Sequence, residues 1–213
     1  WYENGLSAFG DPTFGSANIT TSADGAYSVY AADIDNDGDM DVVSASVTDD
    51  KIAWYENDGA ADPSFTARTI TTSADGAHSV YAADIDDDGD IDVLSAGYTD
   101  QKVTWYENDG AADPSFTART ITSSAYAARS VYAADIDNDG DMDVLSASAS
   151  DDKIAWYESD GAADPSFTTR TITTSADAAA SVYAADIDND GDLDVVSASF
   201  TDDKITWYEN GEA

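Results

Sequence analysis

The sequence contains no cysteine, so disulfide bridges, thiolate metal sites and cysteine nucleophiles are all excluded. It has one histidine and eight basic residues among 213. No apolar stretch approaches the roughly 18 residues that a membrane-spanning helix needs, which predicts no membrane insertion. The scarcity of lysine and arginine argues against nucleic acid as a partner, because phosphate binding requires a basic surface.

Acidic residues are abundant instead. Aspartate and glutamate number 44, and the formal net charge is −36. Hydrophobic residues make up 42% of the chain, which is typical of a folded globular protein and not of a disordered one. The acidic charge therefore indicates either general solubility or a set of cation sites, and the positions of the aspartates distinguish the two.

The chain is an internal repeat with a period of 51 residues. The tripeptide Asp-Ile-Asp begins at residues 33, 84, 135 and 186, and Trp-Tyr-Glu begins at residues 1, 54, 105, 156 and 207. We interpret residues 1–213 as a single domain of four repeats. The repeats span about residues 1–53, 54–104, 105–155 and 156–206, and residues 207–213 begin a fifth copy.

Each repeat reads as four short strands. In the first full unit, alternating and β-branched patterns predict strands over residues 28–34, 41–47, 51–57 and 65–72. Four antiparallel strands in a unit of this length are typical of a β-propeller blade. The predicted fold is therefore all-β, a propeller of four four-stranded blades whose Trp and Tyr side chains fill the space between sheets.

The way in which the blades close is left open by the sequence. A strand over about residues 14–21 would complete the last blade and give a closed four-bladed ring, with one surplus Trp-Tyr-Glu strand. The alternatives are half of an eight-bladed dimer, or one segment of a longer head-to-tail array. The unique apolar residues Leu6 and Phe9 are candidates to cover such a junction.

The loop between the first two strands of each repeat has the composition of a calcium site. It reads Asp-x-Asp-x-Asp-Gly-Asp-x-Asp, and the four copies hold 21 of the 44 acidic residues. Calcium prefers six to eight oxygen ligands, and carboxylates at positions 1, 3 and 5, the carbonyl at position 7 and the carboxylate at position 9 supply them. Four calcium sites are predicted, and magnesium suits such an all-protein cage less well. The candidate ligands are Asp33, Asp35, Asp37, Asp39 and Asp41; Asp84, Asp86, Asp88, Asp90 and Asp92; Asp135, Asp137, Asp139, Asp141 and Asp143; and Asp186, Asp188, Asp190, Asp192 and Asp194.

An EF-hand begins in a similar way but is rejected here. It needs a glutamate at position 12 and flanking helices, whereas position 12 is serine in all four copies and strands flank the loop.

The repeated Asp-rich loop between two strands resembles the FG-GAP/VCBS repeat family, the blades of integrin-α-type propellers. The resemblance covers essentially the whole chain, although the Phe-Gly and Gly-Ala-Pro signatures are missing from their expected places. It implies a secreted or cell-surface protein, calcium at the loop positions given above, and a role as adhesin, lectin or accessory domain of a larger enzyme. Asn18 lies in the one N-glycosylation sequon.

The few columns in which the repeats differ are candidates for partner contact. They lie at the turns before the first strand and after the second strand, on the face opposite the predicted calcium loops. Drift at exposed turns after duplication explains the same variation. The candidate partner face consists of Tyr27, His78, Tyr98, Tyr126, Arg129 and Phe200.

These observations favour a non-catalytic, calcium-stabilised extracellular scaffold or adhesion module that acts through protein contacts or self-assembly, including as the unit of a surface filament. Every carboxylate recurs four times, whereas a catalytic centre needs one asymmetric set of groups, so we expect no enzyme activity. The alternatives are a multivalent calcium-dependent lectin with a carbohydrate ligand, and the accessory propeller of a larger secreted enzyme.

Overall fold

The computed structural model describes residues 15–211. All regular elements in this range are β-strands, which form four antiparallel sheets, one for each repeat. The prediction of an all-β chain of propeller blades is confirmed. Trp1, Leu6 and Phe9 lie outside the described residues. The described part of the chain includes no helix of the length and hydrophobicity that a membrane span requires.

Each sheet is a meander in which consecutive strands pair. The first three sheets have four strands and the fourth has three. The strands are β1 (Ala26–Ala32), β2 (Asp41–Ser46), β3 (Lys51–Asn57) and β4 (Phe65–Thr71) in the first sheet; β5 (Ala77–Ala83), β6 (Asp92–Gly97), β7 (Val103–Asn108) and β8 (Phe116–Thr122) in the second; β9 (Ala128–Ala134), β10 (Asp143–Ser148), β11 (Lys153–Ser159) and β12 (Phe167–Thr173) in the third; and β13 (Ala179–Ala185), β14 (Asp194–Ser199) and β15 (Lys204–Tyr208) in the fourth.

In the first full unit, the second, third and fourth strands agree with their predicted bounds to within one residue, and the first strand does not. β1 begins and ends two residues earlier than predicted. It begins at Ala26 because that residue closes a turn by donating its N–H to the Ala23 carbonyl at 3.2 Å. It ends at Ala32 because the carboxylate of Asp33 accepts backbone N–H groups of the following loop, which takes that residue out of the ladder.

The hydrophobic core lies between successive sheets. The face of the first sheet that carries Ile34 and Trp54 packs against the face of the second that carries Val80 and Tyr106, and all four side chains are buried. We call the face that carries Trp54 in the first sheet the trailing face, and the face that carries Tyr106 in the second sheet the leading face. The same pattern repeats at the next two junctions. The predicted core role of the recurring Trp and Tyr residues is therefore confirmed at these junctions.

Each end of the array exposes side chains whose equivalents are buried at the internal junctions. The leading face of the first sheet exposes 69% of Val29, whereas the equivalent Val80 in the second sheet is 4% exposed. The trailing face of the fourth sheet exposes 81% of Ile205, whereas the equivalent Ile52 is fully buried. The described sheets therefore do not close into a ring.

The strand predicted over residues 14–21 is not formed in the described residues 15–21. Phe14 lies outside the described range. The fourth sheet consequently lacks an outer strand from this segment, and the overlap that would close a four-bladed ring is absent from the described part of the chain.

The repeats provide a matched pair of substitutions that tests this packing. Val80→Ala removes two buried methyl groups at a junction, and we expect a loss of about 2 kcal/mol in the free energy of unfolding. Val29→Ala makes the same change on the open leading face, where we expect a loss below about 0.5 kcal/mol. Urea denaturation of dilute protein measures both, and equal losses would contradict the open first sheet.

Candidate metal centres and the opposite face

The Asp-rich loop of each repeat owes its shape to two residues in the left-handed region. Position 6 is glycine, and Gly38 has φ +97°. Position 4 is asparagine or aspartate, and Asn36 has φ 58°. Among residues with a side chain, Asn and Asp tolerate this conformation best, which explains the restriction of position 4 to these two residues. The conformational role of position 4 was missed by the sequence analysis, although its Asn/Asp composition is the signal.

The aspartate at position 1 organises the tip of the loop. In the first repeat, Asp33 accepts the N–H of Asp37 at 3.1 Å with one oxygen and the N–H of Gly38 at 3.0 Å with the other. Asp37 in turn accepts the N–H of Asp39 at 2.9 Å. These bonds turn the backbone so that the side chains of positions 1 and 3 point to the same place.

The loops bring three carboxylates together in every repeat. One oxygen from each lies within 4.8 Å of the others. Positions 1 and 3 take part in all four clusters, joined by position 5 in the outer repeats and by position 9 in the inner ones. The clusters are Asp33, Asp35 and Asp37; Asp84, Asp86 and Asp92; Asp135, Asp137 and Asp143; and Asp186, Asp188 and Asp190.

The aspartate at position 9 ties the loop to the core. Asp41 is 1% exposed. It accepts the N–H of Ile34 at 3.0 Å with one oxygen and the N–H of Asn57, at the end of β3, at 2.8 Å with the other. The equivalent residues of the other repeats make the same two bonds. Asp41 and Asp194 are outside the clusters of their own repeats, and Asp88 and Asp139 at position 5 are outside those of the inner repeats.

The side chain at position 7 takes part in no cluster. Asp90 accepts the side-chain amide of Asn36, in the preceding repeat, at 2.8 Å, and Asp192 accepts that of Asn138 at the same distance. Asp39 and Asp141 are outside the clusters as well. At the first and third junctions, the position 7 side chain therefore links neighbouring loops, whereas at the second junction Asp141 faces Asp87 and makes no such bond.

The asparagine of Trp-Tyr-Glu-Asn is a further loop residue that the sequence analysis did not assign. Asn108 donates its side-chain amide to the carbonyl of Ile91 at 3.0 Å and to that of Ile34, in the preceding repeat, at 2.9 Å. Its recurrence after the tryptophan motif is the signal that could have identified it. Ser159 replaces it in the third repeat.

The carboxylates of the inner loops lack compensating positive charge. Burial, and then the charge of Asp88, raises the pKa of Asp86 to about 6. Burial raises the pKa of Asp92 to about 7 and that of Asp143 to about 6, although both accept backbone N–H groups. One carboxylate oxygen of Asp86 and one of Asp137 are buried without a hydrogen-bond partner. Converging, partly desolvated oxygens with unused lone pairs are a donor set that fits a hard divalent cation.

Most of the candidate partner face forms a single cavity. Turns that precede and follow the first two strands of a repeat are bonded together, as in the bond from the N–H of Val47 to the carbonyl of Gly25 at 3.0 Å. The cavity measures about 410 Å³. It is lined by Tyr27, His78, Tyr98, Arg129, Ala180 and Phe200. Tyr126 is 45% exposed and does not line it.

The fold is similar to that of a solved structure. The structure of BBS1N in complex with ARL6DN, soaked with lead, matches with a TM-score of 0.58 at 13% identity over 90% of this chain. A protein from Lactobacillus plantarum matches with a TM-score of 0.49 at 19% identity over 86% of this chain. In both cases this chain spans 56% of the length of the other. No curated protein matches the sequence.

A family model for the FG-GAP-like repeat matches residues 1–44, 40–95, 84–146 and 146–197. These matches cover most of the chain and follow one another through all four repeats. Together with the four propeller-type sheets, they show that the chain belongs to the FG-GAP-like repeat family.

Proposed function

We propose that the chain is a non-catalytic, calcium-stabilised interaction module that works outside the cell. The observation that carries this proposal is the acidic cluster in each repeat, with buried, unpartnered carboxylate oxygens in both inner loops. Carboxylates that repel each other in the folded chain make folding depend on a cation, and FG-GAP repeats often bind calcium.

The first and third aspartates of every loop are the ligands common to all four sites. The fifth and ninth aspartates and the carbonyl of position 7 complete each set. An all-oxygen, flexible set of this kind suits calcium better than magnesium, which keeps several waters. Extracellular calcium reaches the concentration that weak sites of this type need, about 10⁻⁴ to 10⁻³ M, which supports an extracellular setting.

Binding, and not catalysis, is the activity that the arrangement supports. Each carboxylate cluster has a counterpart in every other repeat, so the clusters hold no unique pair of groups with different roles. The FG-GAP-like repeats support an interaction role, and so does the BBS1N structure, which was solved in complex with ARL6DN.

The open end faces favour self-assembly as one mode of interaction. At each internal junction a leading face covers a trailing face, and in the described chain the first and fourth sheets each leave side chains of one such face exposed. Because the repeats are nearly identical, the exposed leading face of one chain has the shape to cover the exposed trailing face of a second. Two chains joined at both ends would form the eight-bladed assembly.

Polar groups at the ends are complementary in the same way. The N–H of Val80 donates to the hydroxyl of Ser28 in the preceding sheet at 3.3 Å, and the next two junctions repeat this bond. At the ends of the array, the N–H of Val29 and the hydroxyl of Ser181 have no neighbouring sheet in the described chain. One end therefore offers the donor, and the other the acceptor, of the bond made at every junction.

The calcium proposal predicts that Asp86→Asn raises the Tm when calcium is absent and lowers it when calcium is present. In a chelator such as EGTA, the variant removes one repelling carboxylate, so its Tm should exceed that of the wild type. In calcium, wild-type sites at tenfold their dissociation constant each contribute about 1.4 kcal/mol, or roughly 3–6 °C in Tm. In calcium, the Tm of the variant should therefore lie below that of the wild type by about the contribution of one site, as measured by calorimetry.

Asp62→Asn is the matched control, because Asp62 is exposed and belongs to none of the clusters. It should change the Tm by less than about 1–2 °C in either buffer. An identical wild-type melt with calcium and with chelator would disprove the calcium proposal.

The pH dependence of stability should differ between the two forms. The raised pKa values of Asp86, Asp92 and Asp143 mean that the calcium-free folded chain binds more protons than the unfolded chain between about pH 4 and 7. Its free energy of unfolding therefore falls as the pH rises through this window. We expect the chelated protein to melt higher at about pH 5 than at about pH 8.

Calcium should reverse this trend, because protons compete with the ion for the same carboxylates. The gain in Tm on adding calcium should be larger at the higher pH. A gain that does not change with pH would show that the ion does not bind at these carboxylates.

Mixing experiments test self-assembly. Val29→Glu disables only the leading end and Ile205→Glu only the trailing end, and both residues are exposed in the single chain. We expect each variant alone to be monomeric and a mixture to form a one-to-one dimer, because the intact ends are complementary. Light scattering coupled to size exclusion measures the masses.

Thr120→Glu, on an exposed position of an internal sheet, is the matched control and should associate as the wild type does. A wild-type chain that stays monomeric at all concentrations, or variants that associate as the wild type does, would overturn self-assembly and leave the calcium proposal standing.

A further inference from the structure

The cavity on the face opposite the acidic loops carries a positive charge that no acidic side chain pairs with. Residues of all four repeats line it, and four of the six lie near the start of the first strand of a repeat. In a chain of net charge −36, its one charged lining residue is Arg129.

Arg129 is unlike the other basic residues. Among the described residues, it is the one lysine or arginine without an acidic side chain within 4.0 Å. Its guanidinium lies over the ring of Tyr98 instead, 5.7 Å from the centroid. The pairs made by the other seven are Lys51–Asp49, Arg68–Glu56, Lys102–Asp100, Arg119–Glu107, Lys153–Asp151, Arg170–Glu158 and Lys204–Asp202.

The turn that carries Arg129 has also lost its aspartate. The third repeat has Tyr126 where the other three have aspartate, three residues before the Arg129 position. The position of Arg129 itself is Tyr27, His78 or Ala180 in the other repeats, none of which carries a fixed positive charge.

A second aspartate is missing from the adjoining turn. The carbonyl of Gln101 accepts the N–H of Ala125 at 3.0 Å, which places it against the turn before Arg129. The equivalent residue is aspartate in the other three repeats. In the first, Asp50 accepts the N–H of Gly76 at 2.9 Å, next to the equivalent turn. Three differences between nearly identical repeats therefore each make the same place more positive.

The rest of the cavity is aromatic. The ring of His78 lies 4.4 Å from that of Tyr27 and stacks at 4.6 Å on that of Tyr98, between centroids. Tyr27 is 63% exposed and Phe200, from the fourth repeat, is 76% exposed. The cavity thus combines one unpaired guanidinium with exposed ring faces.

We propose that this cavity binds a compact, ring-bearing organic carboxylate. Arg129 pairs with the carboxylate, and the aromatic side chains pack on the ring of the ligand. The volume of about 410 Å³ is that of a small-molecule site and fits one compact group better than an extended peptide. The proposal deepens the binding role given above and rests on it. The ring can belong to a sugar acid or to an aromatic acid.

Titration calorimetry of the whole chain in calcium distinguishes these sources. The probes are glucuronate and 4-hydroxybenzoate, with two controls: acetate, which has no ring, and glucose, which has no charge. We expect saturable binding of at least one of the two ring-bearing acids, with acetate and glucose at least about tenfold weaker. Binding of glucuronate alone indicates a sugar acid, and binding of 4-hydroxybenzoate alone indicates an aromatic acid.

The repeats supply the variants. Arg129→Ala installs the residue that the fourth repeat has at this position, and the affinity should fall by about 10- to 100-fold because a charge-assisted bond is lost. Gln101→Asp restores the common residue and should weaken binding several-fold. Arg170→Ala makes the same change in net charge on an outer strand away from the cavity, and its affinity should equal that of the wild type.

Failure of both ring-bearing acids to bind, equal binding of acetate or glucose, or an Arg129→Ala variant with wild-type affinity would each overturn the proposal. These results are distinct from the calcium test, because the calcium-dependent melt depends on the opposite face and should be unchanged in Arg129→Ala.

Discussion

Every sheet in this protein depends on its neighbours for the burial of its two faces. A single four-stranded sheet leaves one apolar face or both in water, and here the covering element is always another sheet of nearly the same sequence. Burial is therefore a property of the position in the array. Val80 and Val29 occupy equivalent sites in equivalent strands, and only the presence of a preceding sheet separates 4% from 69% exposure.

The acidic loops are attached to this packing through one buried carboxylate. The aspartate at position 9 bonds the loop start to the end of the third strand, so the cluster cannot shift without disturbing the ladder. A desolvated carboxylate raises the free energy of the folded chain unless a positive charge offsets it. In the proposed calcium form, the ion supplies that charge, and the hairpin that carries the core of each sheet is held by the same residue that faces the ion.

The sequence predicted the repeated features well and the unrepeated ones poorly. The third strand of the first sheet was predicted to the residue, because polar residues at both ends of Lys51–Asn57 bound a short apolar run. The first strand was misplaced by two residues, because Asp33 reads as strand but bonds into the loop. The sequence left open whether the blades close into a ring. Val29 and Val80 have the same sequence context, so the sequence does not indicate that one is exposed and the other buried. The joining of position 7 to the preceding loop depends on the stacking of sheets, which no single repeat encodes.

The two faces of the protein differ in their proposed roles, stabilisation and selective binding, because of the same repetition. A feature that all repeats share can stabilise each repeat equally, and the acidic loops are such a feature. Selective binding needs groups that are not repeated, and these converge where turns of different sheets meet. Gln101 and Arg129 belong to different repeats and are 28 positions apart, yet both adjoin the turn at Ala125. The stacking that buries the core therefore also brings unlike residues of different repeats together at the cavity that Arg129 lines.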